Sequence, residues 1–388
     1  MQDFVFSAPT QIIFGRSTEQ QVGQATKKLG RKVLLHYGQG SIVRSGLKDR
    51  VVKSLVDTGL EVVELGGVQP NPRLGLVKQG IELARREGVD GILAVGGGSV
   101  MDSAKAIAMG VGYQGDVWDF FTGQAVCQSA LPLGVIVTIP GSGSEAGGGT
   151  VITNEDGQLK RLTWSDLVIP RFAILNPELT FSLSPYQTAV AGADIFSHVV
   201  ERYFTNIQDV DLTDRLCEAT MNSIIKNLPL AVREPSNYAA RAEVMWAGTV
   251  AHNGFLDTGR IGDWACHSIE HELSGIYDIP HGAGMAVLLP AWMSFVLEHD
   301  VKRFVQFAER VWGLPKENCE PRMLAKEGIA QMRKFFADLE LPTSLQELAI
   351  DDSRFSEIAE KCLGEQSTVG NFLPLTAEDI VEILKLAR

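Results

Sequence analysis

The chain has 388 residues, 45% of them hydrophobic and 21% charged, with a formal net charge of −12. That length exceeds what one hydrophobic core usually supports, so two domains are expected. The acidic balance argues against nucleic acid and anionic membranes, which bind clustered Lys and Arg.

No window of eighteen consecutive apolar residues occurs, and the start, MQDFVFSAPTQIIFG, lacks the basic and apolar regions of a signal peptide. Five scattered cysteines (Cys127, Cys217, Cys266, Cys319, Cys362) form no CxxC pair. A reducing cytoplasm without a disulfide framework is therefore expected. Cys266 adjoins His267 and is read as a buried structural thiol.

In chain order, FVFS and QIIF read as two short strands of a hairpin around Ala8-Pro9-Thr10. A helix is predicted from Glu19 to Leu29, followed by KVLLHY as a buried strand ending in GQGS. A helical pattern from Ile42 to Thr58, the strand LEVVEL, the break GGVQPNP and a helix from Arg73 to Glu87 come next. GILAV is a third strand, ending in GGGS and a helix through Ala108; LGVIVT is a fourth, ending in IPGSGSE. VITNEDGQLKRLTW reads as a hairpin turning at Asp156-Gly157, and RFAIL as a last strand. Strands alternating with helices of this length imply a parallel sheet, which binds ligands beyond the carboxyl ends of its strands. From Pro185 onward helical periodicity dominates, so residues 1–182 are expected as an α/β domain and 183–388 as an all-α domain.

Chemistry concentrates in two stretches of the second half. Asp194 and His198 stand four residues apart in AGADIFSHVVERYF, so on a helix they share one face. WACHSIEHELSGIYDIPHGAG then supplies His267, His271 and His281, just before what reads as a glycine-rich turn. One carboxylate with several imidazoles suits a divalent transition metal. Spacing alone leaves both His267 and His271 open as ligands.

The glycine-rich turns of the first half suit phosphate. GGGSVMDSAK follows a buried strand and opens a helix, where glycines admit a phosphate to the backbone and the helix N-terminus supplies N–H donors. Ser99 is a natural N-cap there, and Asp102 either completes a capping box with it or contacts the ligand. The spacing is not GxGxxG, and HYGQGSIVRSG lacks the third glycine at the expected offset. GSGSEAGGG adds Ser142 and Ser144 after the fourth strand.

Taken together, GGGSVMDSAKAIA, TIPGSGSE, ADIFSHVVE and HSIEHELSGIYDIPHGAG resemble the iron-containing (group III) alcohol dehydrogenases over essentially the whole chain. YGQGS, VQPNP and DWACHSIEH look like the butanol dehydrogenase and broad-range aldehyde reductase branch. The resemblance implies a dehydroquinate synthase-like fold, an α/β nucleotide-binding domain followed by a helical metal-binding domain, with cofactor and metal in the cleft between. It implies Asp194, His198, His267 and His281 as metal ligands, with Fe(II) as the expected ion and Zn(II) as the alternative. It implies Gly97, Gly98 and Ser99 against the pyrophosphate, and Gly38, Ser41, Asn71, Asp102, Thr138, Ser142 and Lys160 on the cofactor side. His271 becomes a residue beside the nicotinamide that relays the alcohol proton. Gly147 to Gly149 departs from the family, whose members more often carry side chains there.

The implied activity is hydride transfer between NADP(H) and a primary alcohol or aldehyde such as butanol and butanal, the metal acting as a Lewis acid. Trp264, Phe255 and Ile261 are candidate walls of an apolar substrate pocket. Rival readings are a glycerol or polyol dehydrogenase, a metal-dependent hydrolase, which leaves the glycine-rich turns unexplained, and a metal or nucleotide binding protein without catalysis, which no sequence feature favours. Preference for NADP(H) over NAD(H) rests on Gly38, which stands where NAD-selective relatives carry an acid. Glycine there removes repulsion of a 2′-phosphate, and Ser41 and Arg44 follow closely. A homo-oligomer, a dimer, is expected from an exposed strand edge near the N-terminus.

Overall fold

In the computed structural model, which describes residues 1–315 and 319–388, contacts divide the chain into Ser7–Ser182 and a second unit of Leu183–Arg388 with Met1–Phe6. The first unit is built on a six-stranded, all-parallel sheet. Its strands are β1 (Gln11–Phe14), β2 (Lys32–Gly38), β3 (Glu61–Val68), β4 (Gly91–Gly96), β5 (Leu133–Val137) and, last in sequence, β8 (Phe172–Leu175). Their order is β1-β8-β5-β4-β2-β3. Every residue of β4, β5 and β8 is buried, the continuous apolar pattern of strands covered on both faces.

The opening hairpin expected from the sequence does not form. Residues 1–9 carry no strand, and β1 instead joins β8 in parallel at the sheet edge, Gln11 opposite Phe172. Pairing of two distant segments leaves no local signature, so alternation alone reads as a hairpin.

Helices α1 (Val22–Thr26), α2 (Ser41–Arg44), α3 (Leu47–Asp57), α4 (Leu74–Glu87) and α5 (Gly98–Val111) connect the strands. The single helix expected over 42–58 is broken at Gly46, whose φ of 67° is left-handed, a conformation glycine adopts at no steric cost. Strands β6 (Gly149–Asn154) and β7 (Leu159–Trp164) form a separate antiparallel hairpin. The chain runs from β2 outward to β3 and then returns past β2 to β4. That reversal creates a crevice at the carboxyl ends of β2 and β4, the usual ligand position in such sheets.

The second unit is helical: α6 (Pro185–Tyr203), α7 (Asp211–Arg233), α8 (Tyr238–His252), α9 (Ala265–Tyr277), α10 (His281–Val296), α11 (Val301–Trp312), α12 (Pro321–Asp338), α13 (Phe355–Leu363) and α14 (Ala377–Leu386). Among the described residues it contains no strand, only an isolated bridge between Val369 and Leu375. Helix α6 starts on a full capping box, Ser184 with Gln187, and Pro185 in its first turn. Its apolar residues pack with those of α7 to α14 into one core that includes Phe196, Trp292, Phe304 and Phe336. No helix among the described residues is long and apolar enough to cross a membrane.

Candidate metal centre and nucleotide turns

Asp194, His198 and Glu201 lie at i, i+4 and i+7 of α6, one continuous face. His267, Glu270 and His271 follow on α9. His281 is the first residue of α10, so HGAG is the first turn of a helix rather than a glycine-rich turn between elements. The glycines serve close packing. A Cβ on Gly282 would lie 2.0 Å from the carbonyl oxygen of Val190, one turn before Asp194, and a Cβ on Gly284 would lie 2.7 Å from Glu270 Oε1. Only bare backbone lets α10 approach α6 and α9 closely enough to bring His281 into the cluster.

The cluster centres on one oxygen. The Nε2 atoms of His281, His198 and His267 stand 3.4, 3.7 and 3.9 Å from Asp194 Oδ1. None of these contacts makes a hydrogen bond, for Asp194 Oδ1 has no hydrogen-bond partner. Two ligands about 2.1 Å from one tetrahedral ion stand about 3.4 Å apart, so the spacing suits donors sharing a cation. Asp194 Oδ1 and His267 Nε2 are buried without a hydrogen-bond partner, although buried polar atoms are nearly always satisfied. The residues present therefore fit a bound divalent ion. Ligand atoms of Asp194, His267 and His281 lie within 4.8 Å of one another; Glu270, His271 and His281 form a second such group. In that second group both Glu270 oxygens are already engaged, by His281 Nδ1 and by the Ser274 hydroxyl.

Electrostatics agree with a cation site. Burial raises the carboxyl pKa of Asp194, but the surrounding histidines more than reverse this and hold it well below the usual range. Burial drives His198 well below its ordinary value. His267, also penalised by burial, is carried up to about 9 by the Glu201 and Asp194 carboxylates. Burial likewise pushes the Cys266 thiol well up, which fits the inert thiol expected from the sequence.

Trp264 enters the cluster, its ring 5.3 Å from His267 and 6.2 Å from His198, and the Arg202 guanidinium lies over the same indole, 4.4 Å from its centroid. Phe255 instead packs on Phe6, and Ile261 is exposed. His271 stands beside the cluster, its ring 5.6 Å from His281 and 6.4 Å from His267. Glu201 and Glu270, both fully buried, escaped the sequence reading. Their signal was present, since Glu201 is three residues beyond His198 and Glu270 three beyond His267.

In the first unit, Gly38 ends β2, Ser41 opens α2, Asn71 follows β3, Gly97 joins β4 to α5, and Gly98 and Ser99 open α5. Thr138 follows β5 and its N–H bonds to Gly96 O at 2.9 Å. These positions all belong to the carboxyl edge of the sheet. Asn71 has φ 52°, a left-handed conformation uncommon outside glycine. Ser142 lies against the start of α5, for a Cβ on Gly98 would come within 2.4 Å of its Oγ. The capping box expected between Ser99 and Asp102 does not form. Gly97 is the cap, without a side-chain bond, and Asp102 accepts instead from Ser144 Oγ at 2.6 Å and the Val151 N–H at 3.1 Å. Burial raises the Asp102 carboxyl. Lys160 is buried in β7, its backbone opposite Thr153.

Residues 9–177 match the family described as iron-containing alcohol dehydrogenase, and residues 188–388 match the C-terminal part of the Fe-containing alcohol dehydrogenase family. The chain belongs to the iron-containing alcohol dehydrogenases. It is 40% identical over 385 residues to a probable NADH-dependent butanol dehydrogenase of Bacillus subtilis, covering 99% of each chain. It is 36% identical to the NADPH-dependent aldehyde reductase YqhD of Escherichia coli, covering 93% of each. Among solved structures, NADH-dependent butanol dehydrogenase A from Thermotoga maritima superposes with a TM-score of 0.96 at 40% identity, over 100% of this chain and 99% of the other. Membership makes this iron-containing alcohol dehydrogenase an oxidoreductase, with a divalent metal and a nucleotide cofactor as its working parts.

Proposed function

We propose that the chain reduces aldehydes and oxidises primary alcohols of the butanal and butanol type, using NADP(H) in preference to NAD(H) and one divalent ion, Fe(II) first among candidates. The observation that carries this reading is the convergence of three imidazole Nε2 atoms on one buried, unpartnered oxygen of Asp194. Asp194, His198, His267 and His281 would hold the ion. When bound, such an ion supplies Lewis acidity toward the substrate oxygen. Asp194, held ionised among the histidines, balances its charge. Trp264 covers one side of the imidazoles and excludes water from them. His271, half-buried beside His267 and His281, takes or returns the hydroxyl proton at a ring nitrogen.

Support for cofactor binding comes from the crevice at β2 and β4, where Gly38 to Ser41 and Gly97 to Ser99 offer backbone N–H groups to phosphate. Support for NADP(H) is the absence of a carboxylate at Gly38, although the named relatives divide between NADH and NADPH. Five scattered cysteines that form no CxxC pair support a cytoplasmic location. The deciding experiment is an aldehyde panel run with NADPH and NADH on protein loaded with Fe(II) or Zn(II) and on protein stripped by chelator. Turnover is expected only with metal. Undiminished turnover in a verified metal-free preparation would overturn the assignment.

A further inference from the structure

Two glutamates stand directly behind the histidine cluster, both wholly inaccessible to solvent. Glu201 Oε2 is bonded to Nδ1 of His267, and Glu270 Oε2 to Nδ1 of His281. An ionised carboxylate only accepts, so each of these Nδ1 atoms carries the proton and donates it. In the neutral ring that a metal requires, the other nitrogen, Nε2, is then left with its lone pair facing Asp194. His198 has no such support, its Nδ1 being buried without a hydrogen bond.

We propose, building on the metal reading above, that Glu201 and Glu270 are positioning residues that lock His267 and His281 in the Nδ1–H tautomer, and that only Glu201 is irreplaceable by its amide. The difference lies in what the second oxygen of each carboxylate does. Glu201 Oε1 accepts from the backbone N–H of Cys266 at 2.8 Å and of His267 at 3.4 Å. Those donors cannot reverse. In Glu201→Gln the amide oxygen must stay on them, which turns the amide NH2 toward Nδ1. That nitrogen then has to accept, its proton moves to Nε2, and the lone pair needed for a metal is lost. The opposite amide rotamer sets NH2 against two N–H donors.

Glu270 Oε1 faces a partner that can reverse. It accepts from the Ser274 hydroxyl, whose oxygen also lies 3.2 Å from the carbonyl of Ile279. In Glu270→Gln the amide oxygen keeps the bond from Nδ1–H of His281. The amide NH2 donates to Ser274 Oγ, and the hydroxyl proton rotates to Ile279 O. The tautomer survives.

The test is Zn(II) affinity of the full chain, measured by chelator competition for wild type, E201Q and E270Q, with near-UV circular dichroism as the check on folding. Removing a hydrogen-bond partner of a metal-bound histidine typically weakens binding about 10–100-fold. A loss of that size is expected for E201Q and a clearly smaller one for E270Q. Equal losses, or wild-type affinity in E201Q, would overturn the proposal. If E201Q does not fold, long-range ¹H–¹⁵N spectra of the Zn(II)-loaded wild type decide. Protons are expected on Nδ1 of both His267 and His281, and a proton on Nε2 of either overturns it. Failure of the wild type to bind any divalent ion is a separate result, which would remove the metal reading and this inference with it.

Discussion

Replacing Lys105 with methionine tests how the glycine-rich loop after β5 is held. Lys105 is fully buried on α5, and its Nζ donates to Ser144 Oγ at 2.7 Å, Gly147 O at 2.7 Å and Gly149 O at 2.9 Å. Three acceptors match the three N–H bonds of an ammonium. Burial lowers its pKa to about 8, so it remains a cation at neutral pH, facing the buried Asp102. Methionine has a similar length but donates nothing, leaving the buried carbonyl of Gly147 and the part-buried carbonyl of Gly149 without this donor and Asp102 without its counter-charge. Orphaning one buried acceptor costs about 1–3 kcal/mol. Removing one of two buried opposite charges, here joined through the Ser144 hydroxyl, costs at most about 3–5 kcal/mol. The effects overlap, because protonation of Asp102 relieves part of both, so about 3–5 kcal/mol is expected in total. For a unit of this size each kcal/mol lowers the midpoint by about 2–4 °C, giving a fall of about 6–20 °C. Thermal unfolding followed by circular dichroism at pH 7 measures it, and KM for the nucleotide should rise in the surviving fold because the loop carries Ser142. A midpoint within about 2 °C of wild type would refute the reasoning, since that corresponds to less than 1 kcal/mol.

Gly38→Asp should shift selectivity toward NADH. An added Cβ meets nothing nearer than Val68 O at 3.6 Å and Val100 Cγ2 at 3.9 Å, so the side chain fits. Like charges about 4 Å apart cost about 1–4 kcal/mol at effective dielectric constants between 80 and 20. The ratio of kcat/KM for NADPH over NADH should fall by about 5- to 1000-fold, and an unchanged ratio would show that this position does not set the choice. His271→Ala should retain its bound metal while kcat falls by about 10²–10⁴, the usual contribution of a proton-transferring group; loss of metal would make His271 a ligand instead. Homodimerisation is expected because β1 is an edge strand and Val5 is 99% exposed among other exposed apolar residues of the N-terminal segment. Light scattering at micromolar concentration should give twice the chain mass, and a monomer would contradict it.

Local pattern carried much of this protein. Alternation of apolar runs with 3.6-residue periodicity marked the strands of the parallel sheet from β2 to β5, and Asp156-Gly157 marked the β6–β7 hairpin. Spacing of four put Asp194 and His198 on one face of α6, because a helix fixes that geometry without help from the rest of the chain. What the sequence left open depended on segments far apart in the chain. Gln11–Phe14 became an edge strand because Phe172–Leu175 was available to pair with it, and alternation is the same for either partner. Asp102 turned from its own helix cap to Ser144 and Val151, bonds that exist only once the loop after β5 folds over α5. His281 joined the cluster because Gly282 and Gly284 let α10 close on Val190 and Glu270. The roles of Glu201 and Glu270 were set in the same way. A glutamate on a helix reads as a solvated charge until packing buries it, and only the meeting of α6, α9 and α10 placed each carboxylate against a histidine Nδ1.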